Sequence, residues 1–380
     1  MDVDTAGLRF GVEEEFLVVD PVTRAVVPQA EAVLDRARQR LGARVGGEIT
    51  TFQLETRTEP CRTVEELHAQ LVEARGALAA AAGAEGLRVV ATGSPVLGRA
   101  IPSPITEGAR QDRGNATFRG LHDEMCICAL HVHVELPDRD RALAVGNHLR
   151  PYLPALIALA ANSPYWAERD TGYASWRTLV WHRWPVAGPP PYFTSAAQHD
   201  ALIETLLASG ALVDMGTVFW DIRLSVRQPT LEFRVMDMPI TAGESALFAA
   251  LVRALVAGVL PAVDAGDPGP VVPAELLRLA YWRAARDGLS GHGVDARTGR
   301  LLPAADLTQR LLDLARPALA AYDDLDRVTG GIRRLVEGGD GATRQRRAAS
   351  RRGLLADVID HLVIETAGVA GSDSQQSTPA

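Results

Sequence analysis

The fold class this sequence predicts is α+β: a curved, mainly antiparallel sheet with flanking helices. Short runs of alternating apolar residues are interspersed with helical stretches, yet no regular strand–helix–strand alternation emerges. No Gly-x-Gly-x-x-Gly turn marks a parallel dinucleotide-binding sheet, and no repeat of solenoid period is present. Apolar residues fill 47% of the 380 positions and charged residues 23%, ample for a sizeable core. Residues 1–370 are expected to form one domain, followed by a polar, disordered tail over 371–380.

The elements follow in order. Residues 8–19 alternate as a strand and stop at Asp20-Pro21. A helical run covers 26–41, and 48–58 is extended. Thr63-Val64-Glu65-Glu66 reads as a capping box, opening an Ala-rich helix to about Ala82. Residues 87–92 form a short strand ending at Gly93-Ser94-Pro95, and 95–117 reads as loop. Another strand covers 125–136, then a helix over 139–161 bent at Pro151 and Pro154. The stretch 162–194 carries Trp166, Trp176, Trp181 and Trp184, and its Gly188-Pro189-Pro190-Pro191 forbids regular structure, so it is a candidate cover for a site. A helix over 195–209 precedes paired strands at 218–225 and 230–237. Thr241-Ala242-Gly243-Glu244 caps a further helix, and from 273 onward the pattern is mostly helical.

The charge pattern excludes whole classes of function. A net charge of −8 argues against nucleic acid or an anionic membrane as the main partner. All 39 basic side chains are Arg; no Lys occurs. A Walker A loop, a Schiff-base enzyme and a protein kinase each need a Lys, so any phosphate must be met by Arg, backbone N–H groups or metal ions. Cys61, Cys126 and Cys128 form neither a Cys-x-x-Cys pair nor a disulfide framework, which fits small core residues in a reducing cytoplasm. No signal peptide is expected, and the apolar helix Ala246 to Val263, interrupted by Arg253, is read as too short for a membrane span. Small molecules are the expected partners, and a homo-oligomer is compatible with the chain.

Four stretches carry the chemistry. Side chains alternate across a strand, so Glu13 and Glu15 share one face while Val12, Glu14 and Phe16 take the other. The same rule pairs His131 with His133, Asp221 with Arg223, and Glu232 with Arg234. The two histidines are either a metal pair or hydrogen-bonded core imidazoles. The Asp/Glu–Arg strands are either a structural ion-pair ladder or a metal- and phosphate-binding surface. Glu48 and Glu55 are seven apart and fall on opposite faces unless a turn or bulge intervenes at Thr50-Thr51. Carboxylates crowded on a sheet face suit Mg²⁺ or Mn²⁺, and Mg²⁺ usually accompanies phosphate. Together these point to a metal–nucleotide enzyme.

Gly11-Val12-Glu13-Glu14-Glu15, His131-Val132-His133-Val134, Asn162-Ser163-Pro164-Tyr165 through Ser175-Trp176-Arg177, Asp221-Ile222-Arg223 and Glu232 through Asp237 resemble ATP-dependent carboxylate–amine ligases, the glutamate–cysteine ligase type 2 family. The similarity runs in unbroken order from about 8 to 365 and includes Tyr281 to Gly299. The resemblance implies a catalytic domain similar to that of glutamine synthetase, with ATP and Mg²⁺ as cofactors. It implies Mg²⁺ ligands at Glu13, Glu15, Glu48, Glu55, His131 and Glu232; for Glu48 and Glu55 it is the sole ground. It further implies catalytic roles for Arg223 and Arg234, with Arg234 and Arg177 on the nucleotide. The reaction implied is joining L-glutamate to L-cysteine through an acyl phosphate. A phosphotransferase resembling guanidino kinases and a non-catalytic metal- or nucleotide-binding relative remain as alternatives.

Overall fold

Residues Phe10–Val19 form β1, around which the sheet is built. The computed structural model describes residues 7–368, so the tail expected over 371–380 lies outside the described residues. The other strands of the sheet are β2 (Val45–Gly47), β3 (Gln53–Arg57), β4 (Arg88–Val90), β5 (Ala129–Glu135), β6 (Ile222–Leu224) and β7 (Thr230–Asp237). Their order is β6-β7-β5-β1-β3-β2, with β4 against the C-terminal end of β1, and every pairing is antiparallel. A register shift between Phe233 and Met236 puts a bulge into β7, a device that bends a strand and re-aims its side chains.

The alternation of β1 divides the molecule. Val12, Glu14, Phe16 and Val18 are buried on the face covered by helices Val64–Ala84 and Ala242–Asp264. Each apolar side chain fully buried in such a layer contributes about 1.5–3 kcal/mol. Glu14 survives there because Arg75, equally buried, meets it at 2.6 Å and also donates to the Ile240 carbonyl at 2.7 Å. Both covering helices open on the capping boxes read from sequence: Glu66 N–H donates to Thr63 Oγ1, and Glu244 N–H to Thr241 Oγ1, each at 3.2 Å.

Several expectations need correction. The helix expected over 139–161 is two, Arg139–Leu149 and Leu153–Ala160, broken by a 3₁₀ turn containing Pro151. The stretch read as loop contains a helix, Ala109–Phe118. The 162–194 stretch holds the short helix Trp176–Trp181, and a hairpin (His292–Val294 with Leu301–Pro303) interrupts the C-terminal helices. The helix read from Val26 starts at Ala30, because Val26 bridges back to Val19. The apolar helix spans 23 residues, long enough to cross a membrane, yet 72% of its most apolar window is buried inside the protein. Cys61, Cys126 and Cys128 are buried free thiols.

Candidate active site

The uncovered sheet face gathers side chains from six segments. Cross-strand register sets Glu13 beside His131 on β5 and Arg57 on β3, and Glu15 beside Glu55. On β7, Glu232 stands opposite His133, and on β6 Arg223 stands opposite Glu232. The bulge carries Arg234 onto the same surface, its Nη1 3.4 Å from His131 Nδ1. Glu48 arrives by the turn that its spacing required. β2 and β3 form a hairpin with Gly46 opposite Glu55, turning through Thr51-Phe52. Gln53 pins this turn by accepting from Thr50 Oγ1 at 2.6 Å and donating to the Ile127 carbonyl at 2.7 Å.

These side chains line a cavity of about 680 Å³, within the range of small-molecule sites. Two groups within it have donor atoms lying within 4.8 Å of one another: Glu13, His131 and Glu232, and Glu15, Glu55 and His131. Burial first, then the neighbouring Glu48 carboxylate, pushes Glu15 up to about 8. Burial, with Glu13 next, also raises Glu48 and raises Glu55 strongly. Burial and the Arg234 guanidinium press His131 down to about 4, leaving a neutral imidazole. Burial opposes the charge on Glu13, but the neighbouring His131 and His133 imidazoles, at 3.2 and 3.8 Å, outweigh it and hold that carboxyl well below its ordinary range. Such a set is oxygen-rich and supplied with a neutral imidazole, and His133 Nε2 is buried without a hydrogen-bond partner. The donor chemistry fits a hard divalent cation.

The arginines divide by what already holds them. Arg223 forks onto Glu232 at 2.8 and 3.0 Å and donates through Nη1 to the Gly216 and Val218 carbonyls. Arg234 pairs through Nη1 with Glu232 Oε1, which Arg223 also reaches, and leaves its Nε buried without a partner. Burial works against the Glu232 charge, but these two guanidiniums keep its carboxyl far below the usual range. Arg177 lines the cavity while donating to the Arg234 carbonyl at 2.9 Å, so it also braces the bulge from beneath. Asp221 is buried, 3.6 Å from His182, and its carbonyl accepts the Arg234 N–H at 2.8 Å; it does not line the cavity.

The family profile described as glutamate–cysteine ligase family 2 matches residues 9–363. The chain belongs to this family. A Saccharopolyspora erythraea protein provisionally named glutamate–cysteine ligase 2-1 is 45% identical over 361 residues, 94% of this chain and 95% of that protein. A Mycolicibacterium smegmatis protein provisionally named glutamate–cysteine ligase 2-3 is 42% identical, over 94% of this chain and 98% of its own length. Among solved structures, the glutamate–cysteine ligase of Francisella tularensis in complex with AMP superposes with a TM-score of 0.70 at 13% identity, covering 96% of this chain and 89% of that one. A bifunctional glutathione synthetase from Pasteurella multocida gives 0.71 at 15% identity; the match takes in 96% of this chain and only 53% of that one. At such identities these two show a shared fold, and the family membership makes this glutamate–cysteine ligase family 2 chain a carboxylate–amine ligase.

In this ligase several positions in and around the cavity were given no role by the sequence reading. Arg57 pairs with Glu55 and lies 3.6 Å from Glu13; continuing the alternation two residues past Glu55 would have found it. Asp237 accepts from Ser163 and Ser175 at 2.6 and 2.8 Å, which ties the Asn162 and Ser175 stretches to the end of β7. Trp181 and Trp184 of the expected cover do line the cavity, whereas Trp166 and Trp176 do not. The same wall continues into the unforeseen helix Ala109–Phe118, whose Phe118 packs on Trp184 and whose Arg110 clasps Asp214 at 2.9 Å.

Proposed function

We propose that this chain is an ATP-dependent ligase joining the γ-carboxylate of L-glutamate to the amine of L-cysteine through an acyl phosphate, giving γ-glutamylcysteine, ADP and phosphate. The observation that carries this reading is one cavity, floored by a sheet face, whose lining holds five glutamates, His131 and six arginines. The glutamate and cysteine assignment leans on the names carried by the relatives. In this reading the chain is one catalytic domain working on small molecules in the cytoplasm, with no role for nucleic acid or membrane.

Glu13, His131 and Glu232 would hold one Mg²⁺, and Glu15 and Glu55, with Glu48 beside them, a second. Bound there, Mg²⁺ supplies positive charge against the β- and γ-phosphate oxygens. The protein's own share is positioning and electrostatics. Arg234 lines the cavity, and its guanidinium would offer positive charge to phosphoryl oxygens while charge spreads during transfer. Arg177 holds the Arg234 carbonyl, and Arg223 fixes Glu232, so both act by keeping the charged face rigid. The substrate carboxylate attacks the γ-phosphorus and ADP leaves; the amine then attacks the acyl carbon and phosphate leaves. Water would hydrolyse the acyl phosphate, and the apolar wall of Phe118, Trp181, Trp184 and Phe219 limits its access.

Phosphate release from ATP and Mg²⁺, screened over amino-acid pairs with product mass measured in parallel, tests this directly. We expect ADP, phosphate and amide in equal amounts, and only when glutamate and cysteine are both present. ADP with a phosphorylated product and no free phosphate would instead identify a phosphotransferase. Nucleotide binding without turnover of any pair would identify a non-catalytic relative.

A further inference from the structure

Arg57, Arg223 and Arg234 have each found a carboxylate on the charged face, but they are not equally committed. Arg223 and Arg234 are enclosed, with side chains only 11% and 9% exposed, and Arg223 is further tied to two backbone carbonyls. Arg57 is 40% exposed, and among the described residues its ion-pair partners are Glu55 and, at 3.6 Å, Glu13. It stands at the end of β3 next to the edge strand β2. There Gly46 leaves open the space the guanidinium occupies, since a Cβ on Gly46 would sit 3.1 Å from Arg57 Nη1. Glu13 and Glu55 belong to the two donor groups able to hold a cation, one to each. The side chain therefore spans the ground between them.

We propose that Arg57 is a resident counter-cation of this site, which an entering divalent ion displaces from Glu13 and Glu55 and which then meets the anionic ligand arriving with that ion. This rests on the functional reading above. Two cations cannot share the same two carboxylates at full strength: the guanidinium already neutralises part of their charge and repels a divalent charge a few ångströms away. Displacement is favourable only when the released guanidinium gains a new anion. Its strand tether keeps it at the cavity rim, within reach of phosphate or carboxylate oxygens, where a planar fork binds well. The free protein thereby resists taking up metal alone, and metal and nucleotide bind cooperatively.

The test is a calorimetric titration with Mn²⁺, without and with ATP, on the wild type, Arg57→Gln, Arg57→Lys and Gly46→Ala. Without ATP we expect Arg57→Gln to bind Mn²⁺ about tenfold more tightly than the wild type, because the competing charge is gone. Arg57→Lys should stay near the wild type. Gly46→Ala, whose Cβ would press on the guanidinium tip from 3.1 Å while keeping its charge, should bind more tightly by a smaller factor. With Mn²⁺ present, Arg57→Gln should bind ATP more weakly than the wild type. If Arg57→Gln proves poorly folded, Gly46→Ala carries the comparison alone. Mn²⁺ binding by the wild type with no gain in either Arg57→Gln or Gly46→Ala overturns the proposal and leaves the ligase reading standing. Absence of Mn²⁺ binding in every protein, with or without ATP, overturns both.

Discussion

Glu13, Glu14 and Glu15 are consecutive in sequence and have three different fates. Glu14 faces the helices and exists as half of a buried ion pair with Arg75. Replacing it with Gln leaves a buried guanidinium short of its counter-charge, which typically costs about 3–5 kcal/mol. Urea denaturation of Glu14→Gln should show that loss, while turnover per folded molecule stays near the wild type. Glu13 faces the cavity with its side chain partly exposed, and Glu13→Gln should do the reverse. Its turnover should fall by roughly 10²–10³, the usual effect of deleting one charge-stabilising contact, with a denaturation midpoint close to the wild type. Normal turnover in Glu13→Gln would remove it from the candidate ligands. Glu232→Gln is a poorer probe than Glu13→Gln. Arg223 and Arg234 both lose their counter-charge, so lost activity and lost stability arrive together.

At the level of elements, what could be read from sequence was what is encoded locally. The alternation in residues 8–19, 125–136 and 230–237 placed the strands and their charged faces. The capping boxes at Thr63 and Thr241 placed two helix starts, because a side-chain acceptor three residues before a Glu satisfies otherwise orphaned N–H groups. Thr241→Ala should therefore cost about 1 kcal/mol, read as a lowered thermal midpoint with unchanged KM. The helix Ala109–Phe118 was missed because its own sequence barely favours it. It is polar, contains Gly114, and is held by distant partners: Arg110 by Asp214, and Phe118 by Trp184 at 4.4 Å between ring centroids. The Leu301–Pro303 hairpin has strands of three residues, too short for any period to register. Strand order has no local signature either. Nothing in β1 or β3 announces that Glu15 will face Glu55, so the cage could be suspected from motifs but assembled only from register. The bulge that turns Arg234 toward His131 belongs to the same class, since it exists only in the pairing of β7 with β5.

For the molecule as a whole, the charged face is a liability in the free protein. Burial and mutual repulsion hold Glu15, Glu48 and Glu55 above their ordinary range, so each is costly to ionise where it stands. The unfolded chain would spread the same groups through water. A cation that binds only the folded arrangement relieves the repulsion, and its binding energy becomes folding energy. The gain follows RT ln(1 + [L]/Kd), about 2.7 kcal/mol when the ligand is a hundredfold above its Kd. The thermal midpoint should therefore climb with Mg²⁺ concentration and climb further with Mg²⁺ and ATP together. Arg57, Arg223 and Arg234 already neutralise part of the face, so the metal-free protein should stay folded in the presence of a chelator. Simple screening predicts something else: NaCl at matched ionic strength would raise the midpoint equally, because exposed charges respond to any salt. The deciding comparison is Mg²⁺ against NaCl in the wild type and in Glu13→Gln. A shift specific to Mg²⁺ in the wild type that shrinks in the variant assigns the effect to this face. An identical response to both salts would mean that the carboxylates gather here without caging an ion.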